Sequence, residues 1–163
     1  MQPEYRDAPL PSDPAAIRRM AAGTGFFRPD EVDVAVELVE ERLAKGPDSG
    51  YYFWFAGPGD SPVAYVCYGP TPCTIGSFDL YWIVVDKDSQ GRGLGLALMR
   101  MAEDSARHMG CRRMYVETSG KELYGPTQAF YEKAGYFKAA ELPDFYDIGD
   151  AKIIYQKNLP QGN

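Results

Sequence analysis

The feature that most constrains this chain is an abrupt change of periodicity around a glycine-rich turn. Residues 78–85 read Phe-Asp-Leu-Tyr-Trp-Ile-Val-Val, aromatic and β-branched on both faces as in a central strand, with Asp79 the one exception. Gln90-Gly91-Arg92-Gly93-Leu94-Gly95 follows, and then an amphipathic helical pattern to about residue 109 with Leu94, Leu98, Met101 and Ala102 on its inner face. A strand, a glycine loop and a helix in that order favour an anion, because glycines let the backbone approach it and the helix start offers unpaired N–H groups and a positive dipole end. The loop is not a P-loop, since no Lys-Ser/Thr follows, and its G-x-G-x-G spacing lacks the third glycine of the dinucleotide fingerprint. From the glycines alone, a tight strand-to-helix turn without a ligand explains the pattern equally well.

The flanking sequence extends the same alternation. A short strand is expected over 4–8, after which Pro9, Pro11 and Pro14 force a turn, and Ser12 or Asp13 caps a helix over 14–23. A second helix over 29–45 places Val32, Ala35, Val36, Val39 and Leu43 at helical spacing opposite Glu37, Glu40, Glu41 and Arg42, and Gly46-Pro47 stops it. Strands over 51–56 and 62–68 flank the turn-forming Gly57-Pro58-Gly59-Asp60. Beyond the long helix come a strand over 113–118, a short helix over 127–134 and strands over 136–142 and 152–158. This order predicts an α/β (α+β) domain with a mixed sheet and helices on both faces. With 163 residues and no internal repeat or linker, one domain over 1–163 is expected.

Charge and composition then exclude several functions. Lys plus Arg (17) against Asp plus Glu (23) leaves a net charge of -6, which argues against nucleic acid as a partner and mildly favours cationic or amine-bearing small molecules. Cys67, Cys73 and Cys111 have no C-x-x-C spacing and His108 is the lone histidine, so neither a metal site nor a histidine triad is expected. His108 reads as a helix-end cation. No apolar run approaches the ~20 residues of a membrane span, and the N-terminal residues lack signal-peptide character, so no membrane association and a cytoplasmic location are expected.

The loop matches the Q/R-x-x-G-x-G/A signature of the GCN5-related N-acetyltransferases (the GNAT family). Val84-Val85-Asp86 resembles the family's V-D-P segment with Lys87 in place of Pro, and Ala129-Phe130-Tyr131-Glu132-Lys133-Ala134-Gly135-Tyr136 resembles its F-Y-E-K-x-G-F element. The resemblance covers about 50–158, and more loosely the two N-terminal helices. It implies the GNAT fold, in which a mostly antiparallel mixed sheet is splayed between two strands. It also implies acetyl-CoA as co-substrate, with Arg92, Gly93, Leu94 and Gly95 at the pyrophosphate, Gln90 and Gly91 opening the turn, and the main chain of Ile83, Val84 and Val85 along the pantetheine arm. Ile83 and Val85 can be core residues at the same time, because those contacts are main-chain.

By the same resemblance Tyr131 is the candidate general acid for the departing thiolate, a task that suits a side chain protonated at neutral pH. Packing in an amphipathic helix is the competing role for it. Asp79 falls where several relatives place a Glu that serves as base, directly or through water. A carboxylate in an apolar strand needs a partner or a function, although a solvated strand end would also accommodate it. Glu117 is the second base candidate. Tyr124 stands where many relatives carry Asn, so no role carries over there. Tyr51, Tyr52, Trp54, Tyr68, Tyr81, Tyr124 and Tyr146 are aromatic candidates for the acceptor cleft, most of them core. The acidic loop 143–150 either walls the acceptor site or forms a solvated hairpin tip. The implied activity is transfer of acetyl to the amine of a small molecule such as an amino acid or polyamine, by direct attack in a ternary complex. The alternatives are a protein or peptide acetyltransferase, with an open groove, and a non-catalytic CoA-binding accessory domain. A homodimer is left open.

Overall fold

The computed structural model describes residues 2–161. Strands β1 (Glu4–Arg6), β2 (Tyr52–Gly57), β3 (Ala64–Pro70) and β4 (Ser77–Val85) are successive antiparallel neighbours. Strand β5 (Arg113–Ser119) runs parallel to β4, and β7 (Asp150–Asn158) lies between β5 and the edge strand β6 (Phe137–Asp147). The result is one seven-stranded, mostly antiparallel sheet in the order β1-β2-β3-β4-β5-β7-β6. Helices α1 (Asp13–Gly23) and α2 (Pro29–Lys45) cover one face, and α3 (Leu94–His108) and α4 (Gly125–Lys133) the other. Strand β3 shows why both faces need cover. Tyr65 and Cys67 pack toward Ile17, Met20 and Val39, while Ala64, Val66 and Tyr68 pack toward Leu98, Met99 and Ala102.

What positions the site is the brevity of the β4–β5 pairing. Only Ser77, Phe78 and Asp79 pair with Arg113, Met114 and Tyr115. From Leu80 to Val85, β4 pairs with β3 alone, so the backbone groups on its β5 side have no strand partner. The sheet is splayed from Leu80 onward.

Four details differ from the sequence expectation. Neither Ser12 nor Asp13 caps α1 by its side chain. Asp13 is instead fully buried and pairs with Arg6 at 2.6 Å while accepting the Leu10 amide at 2.6 Å, which ties β1 to α1. The inner face of α3 uses Met99 rather than Met101, and also Glu103, which is neutralised by Lys157 at 2.7 Å. Helix α4 begins at Gly125 because Pro126 is tolerated in a first turn. The expected loop 143–150 is mostly strand, since β6 runs to Asp147 and only Ile148-Gly149 turn the chain. Exposure of nearly the whole of β6 removes the alternation that would have marked it as a strand. Helix α3 does end on Arg107 and His108, and His108 Nδ1 lies 2.7 Å from the Asp104 carbonyl.

Candidate active site

Two contiguous cavities occupy the splay. The larger, about 570 Å³, is floored by Leu80–Val85 of β4 on one side and Tyr115 to Ser119 of β5 on the other. The second, about 500 Å³, lies between the start of α3 and α4. Phe26, Ile83, Val85, Gln90 and Thr127 line both, so the two cavities adjoin along β4.

The glycine loop builds the second cavity. Gly91 (φ 76°) and Gly93 (φ 78°) occupy the left-handed region, and Gly93 is the N-cap of α3 with no side-chain cap. The first-turn amides of α3 therefore have no intrahelical acceptor. Gly95 is needed for a different reason: a Cβ there would meet the Phe130 ring at 3.3 Å and Val85 Cγ2 at 3.6 Å. Gly91, Gly93, Leu94 and Gly95 line this cavity and Gln90 borders both, whereas Arg92 lines neither and is exposed. The Val84 side chain is buried in the core against α1 and α2, so only its main chain is available to the splay.

Asp79, Glu117 and Tyr131 all line the larger cavity. Asp79 is half-buried, and its Oδ2 accepts a hydrogen bond from Thr71 Oγ1 at 2.8 Å. Burial raises its pKa, Thr71 opposes the shift, Glu117 adds to it and Lys152 opposes it. Glu117 carries its own cation, Lys152 at 2.8 Å. Tyr131 is 5% exposed, packed among Phe130, Tyr136 and Tyr155, and its hydroxyl makes no hydrogen bond among the described residues. Burial holds that phenol well above its ordinary pKa, so it is protonated at any physiological pH.

Several lining residues escaped the sequence reading. Phe26, Phe27 and Arg28 come from the α1–α2 connection, whose adjacent phenylalanines in a loop were the one legible signal of a wall. Thr71 had none. Of the acidic loop, Tyr146 and Asp150 face the cavity, but Asp144 and Asp147 do not. Asp144 accepts the Gly149 amide and Asp147 the Ile148 amide, each at 2.7 Å, so these two carboxylates are turned to their own hairpin. Of the other aromatic candidates, Tyr81 and Tyr124 line the cavity, while Tyr51, Tyr52, Trp54 and Tyr68 lie in the two cores or against them. Among the described residues no cluster of three potential metal ligands occurs, and no helix is long and apolar enough to cross a membrane.

A family model described as the acetyltransferase (GNAT) family matches residues 17–136. The chain belongs to the GNAT family. Its fold is that of a GNAT-family protein from Desulfovibrio desulfuricans, to which it is 46% identical with a TM-score of 0.95, covering 97% of this chain and 99% of that one. An aminoglycoside 6'-N-acetyltransferase complexed with coenzyme A shares the fold at 19% identity and a TM-score of 0.76, over the full length of both chains. Among curated proteins, the chain is 29% identical to the uncharacterized protein YdhI of Bacillus subtilis over 77% of its own length. It is 41% identical to the blasticidin-S acetyltransferase of Streptomyces morookaense over 41% of its length. These matches span 62% and 46% of the two relatives, less than two thirds of either.

Proposed function

We propose that this GNAT protein transfers acetyl from acetyl-CoA to the amine of a small molecule, an amino acid, polyamine or similar, by direct attack in a ternary complex. The observation that carries the reading is a pair of adjoining cavities that run from an uncapped, glycine-lined helix start, along an unpaired strand edge, to a site lined by both a carboxylate, Asp79, and Tyr131.

The residues present fit the co-substrate. A side chain at Gly95 would crowd the cradle, and the α3 amides need an acceptor that phosphate oxygens supply. The backbone amides of Arg92, Gly93, Leu94 and Gly95 would hold the pyrophosphate, with Gln90 and Gly91 opening the turn. The free main-chain groups of Ile83, Val84 and Val85 would bind the pantetheine amides. When bound, acetyl-CoA supplies an activated acyl group and a thiolate leaving group. Asp79 removes the ammonium proton so that the acceptor nitrogen is neutral when it attacks, and Thr71 holds one of its carboxylate oxygens, which leaves the other without a side-chain donor among the described residues. Glu117, neutralised by Lys152, shapes the field around Asp79 and is the second candidate base. Tyr131 holds a proton for the departing sulfur, and its unshared hydroxyl leaves that proton available. The three cysteines are free, which a reducing cytoplasm maintains.

The test is thiol release from acetyl-CoA against amino acids, polyamines, aminoglycosides and short peptides. Acceptor-dependent release with a small amine is expected. Acetyl-CoA binding without release against any acceptor would overturn the proposal in favour of an accessory domain.

A further inference from the structure

The splay is bridged. Phe27 stacks edge-on against Trp82 of β4 with ring centroids 5.0 Å apart, which anchors the α1–α2 connection to that strand. Across the opening, Gln128 Nε2 of α4 donates to the Ser119 carbonyl at 2.9 Å and anchors α4 to the end of β5. Between these two anchored segments, Tyr124 Oη donates to the Phe26 carbonyl at 3.2 Å, and the two rings lie 5.9 Å apart. Phe26 lines both cavities and Tyr124 the larger, so the contact sits over the point where they join. The contact thus joins segments 98 residues apart across the splay.

We propose that Tyr124 is a specificity-determining residue, whose bridge to Phe26 turns the splay from an open groove into a tunnel with two mouths. The inference rests on the acetyl-CoA reading above. The co-substrate lies under the bridge from the α3–α4 side, and the acceptor reaches Asp79 and Tyr131 only from the side of the β6–β7 hairpin. A slender terminal primary amine fits that approach. A peptide that must lie lengthwise along the splay meets the Tyr124 and Phe26 rings. Tyrosine suits this place because its ring supplies the roof and its hydroxyl the latch, whereas a shorter side chain would not span the opening. The latch is a neutral hydrogen bond to main chain, so it can open without loss of the anchors on either side.

The experiment compares wild type with Tyr124→Ala, Tyr124→Phe and Phe26→Ala, the last two guarding against a folding defect in the first. CoA dissociation is followed by stopped flow, and kcat/KM is measured for a small primary amine and for a tripeptide. Tyr124→Ala, which loses ring and latch, and Phe26→Ala, which loses the facing ring while the main-chain acceptor stays, are each expected to release CoA about fivefold faster or more, because the roof is opened while the cradle remains. The preference for the small amine over the tripeptide should fall about tenfold in both. Tyr124→Phe, which keeps the roof and loses the latch, should fall between them and wild type. Normal CoA binding with dissociation rate and acceptor preference unchanged in both alanine variants would overturn the bridge and leave the proposed activity standing. Failure of wild type to bind acetyl-CoA at all would overturn the activity and this inference together.

Discussion

Tyr65 and Tyr131 are buried to nearly the same degree, 0% and 5% exposed, on opposite faces of the sheet, and among the described residues neither hydroxyl makes a hydrogen bond. Burial raises the pKa of both. They differ in what lies beyond the hydroxyl. Tyr65 is sealed in a stack with Phe53 and Phe55 under α1 and α2, whereas Tyr131 faces a cavity. Two carboxylates repeat the contrast. Asp13 is fully buried and held by Arg6 and the Leu10 amide, while Asp79 has Thr71 alone and an open side. A buried polar group is therefore structural or functional according to its access to a ligand, and the degree of burial does not decide it.

The largest effect expected from breaking this contrast is at the sealed pair. Asp13→Asn leaves Arg6 without its counter-charge and should cost about 3 kcal/mol of unfolding free energy, with kcat per folded molecule unchanged. Urea unfolding read beside turnover checks both halves. Next comes the tyrosine pair. Tyr131→Phe should lower kcat by about 100-fold with acetyl-CoA affinity retained, since only a proton donor is lost. Tyr65→Phe should leave turnover unchanged and be neutral or stabilising by up to about 1 kcal/mol, because it removes an orphaned buried hydroxyl. Equal kinetic behaviour of the two variants would erase the distinction.

Asp79→Asn should reduce turnover about tenfold at pH 6 and less at pH 9, where more of the acceptor amine is already neutral. Its effect on stability has the opposite sign. The Asp79 pKa in the folded protein lies above its ordinary value of 3.8, so the folded state binds the proton more tightly than the unfolded chain. That contribution is present below the ordinary value and is lost as pH rises through the raised one. The Asn variant, neutral throughout, should melt no lower than wild type at pH 7, with its relative advantage vanishing near pH 4. A variant less stable at pH 7 would place Asp79 with Asp13 as a structural carboxylate.

What was legible beforehand was local. The glycine loop, β4 and α3 announce themselves through left-handed φ demands, a run that is aromatic and β-branched on both faces, and a period of 3.6, all within about 30 residues. Asp79 stands out against its apolar strand, whereas Tyr131 is marked only by the resemblance of its segment to the family's F-Y-E-K-x-G-F element. The contacts that set their environment join distant residues: Lys152 to Glu117, Tyr124 to Phe26, Arg6 on β1 to Asp13. Thr71 lies only eight residues from Asp79 but reaches it through the turn between β3 and β4, which leaves no periodic trace. Asp13 reads as a helix cap from sequence because its true partner arrives only when β1 docks. The hairpin tip is misplaced because β6, exposed on both faces, carries no apolar alternation, and its register shifts between Leu142 and Asp147.

The smallest effect concerns that hairpin and asks whether it belongs to the open region at all. Three aspartates in a surface loop suggest an electrostatic funnel for a cationic acceptor, whose KM would rise with salt as the Debye length shortens from about 10 Å at 0.1 M. The arrangement weakens that expectation. Asp144 and Asp147 point to their own turn, and the cavity-lining carboxylates Asp150, Glu117 and Glu31 have Lys121, Lys152 and Arg28 within 3.8, 2.8 and 3.6 Å. Little uncompensated charge faces the mouth beyond Asp79. Replacing Asp144 and Asp147 together by Asn is a clean probe. Asn still accepts the Gly149 amide and tolerates the left-handed backbone of Asp144 (φ 55°), so the turn survives while its charge is removed. The double variant should change the acceptor KM by less than about twofold at any salt concentration. A larger rise, abolished by salt, would show that the tip steers the acceptor after all and would extend the open region outward from Tyr146 to the end of the hairpin.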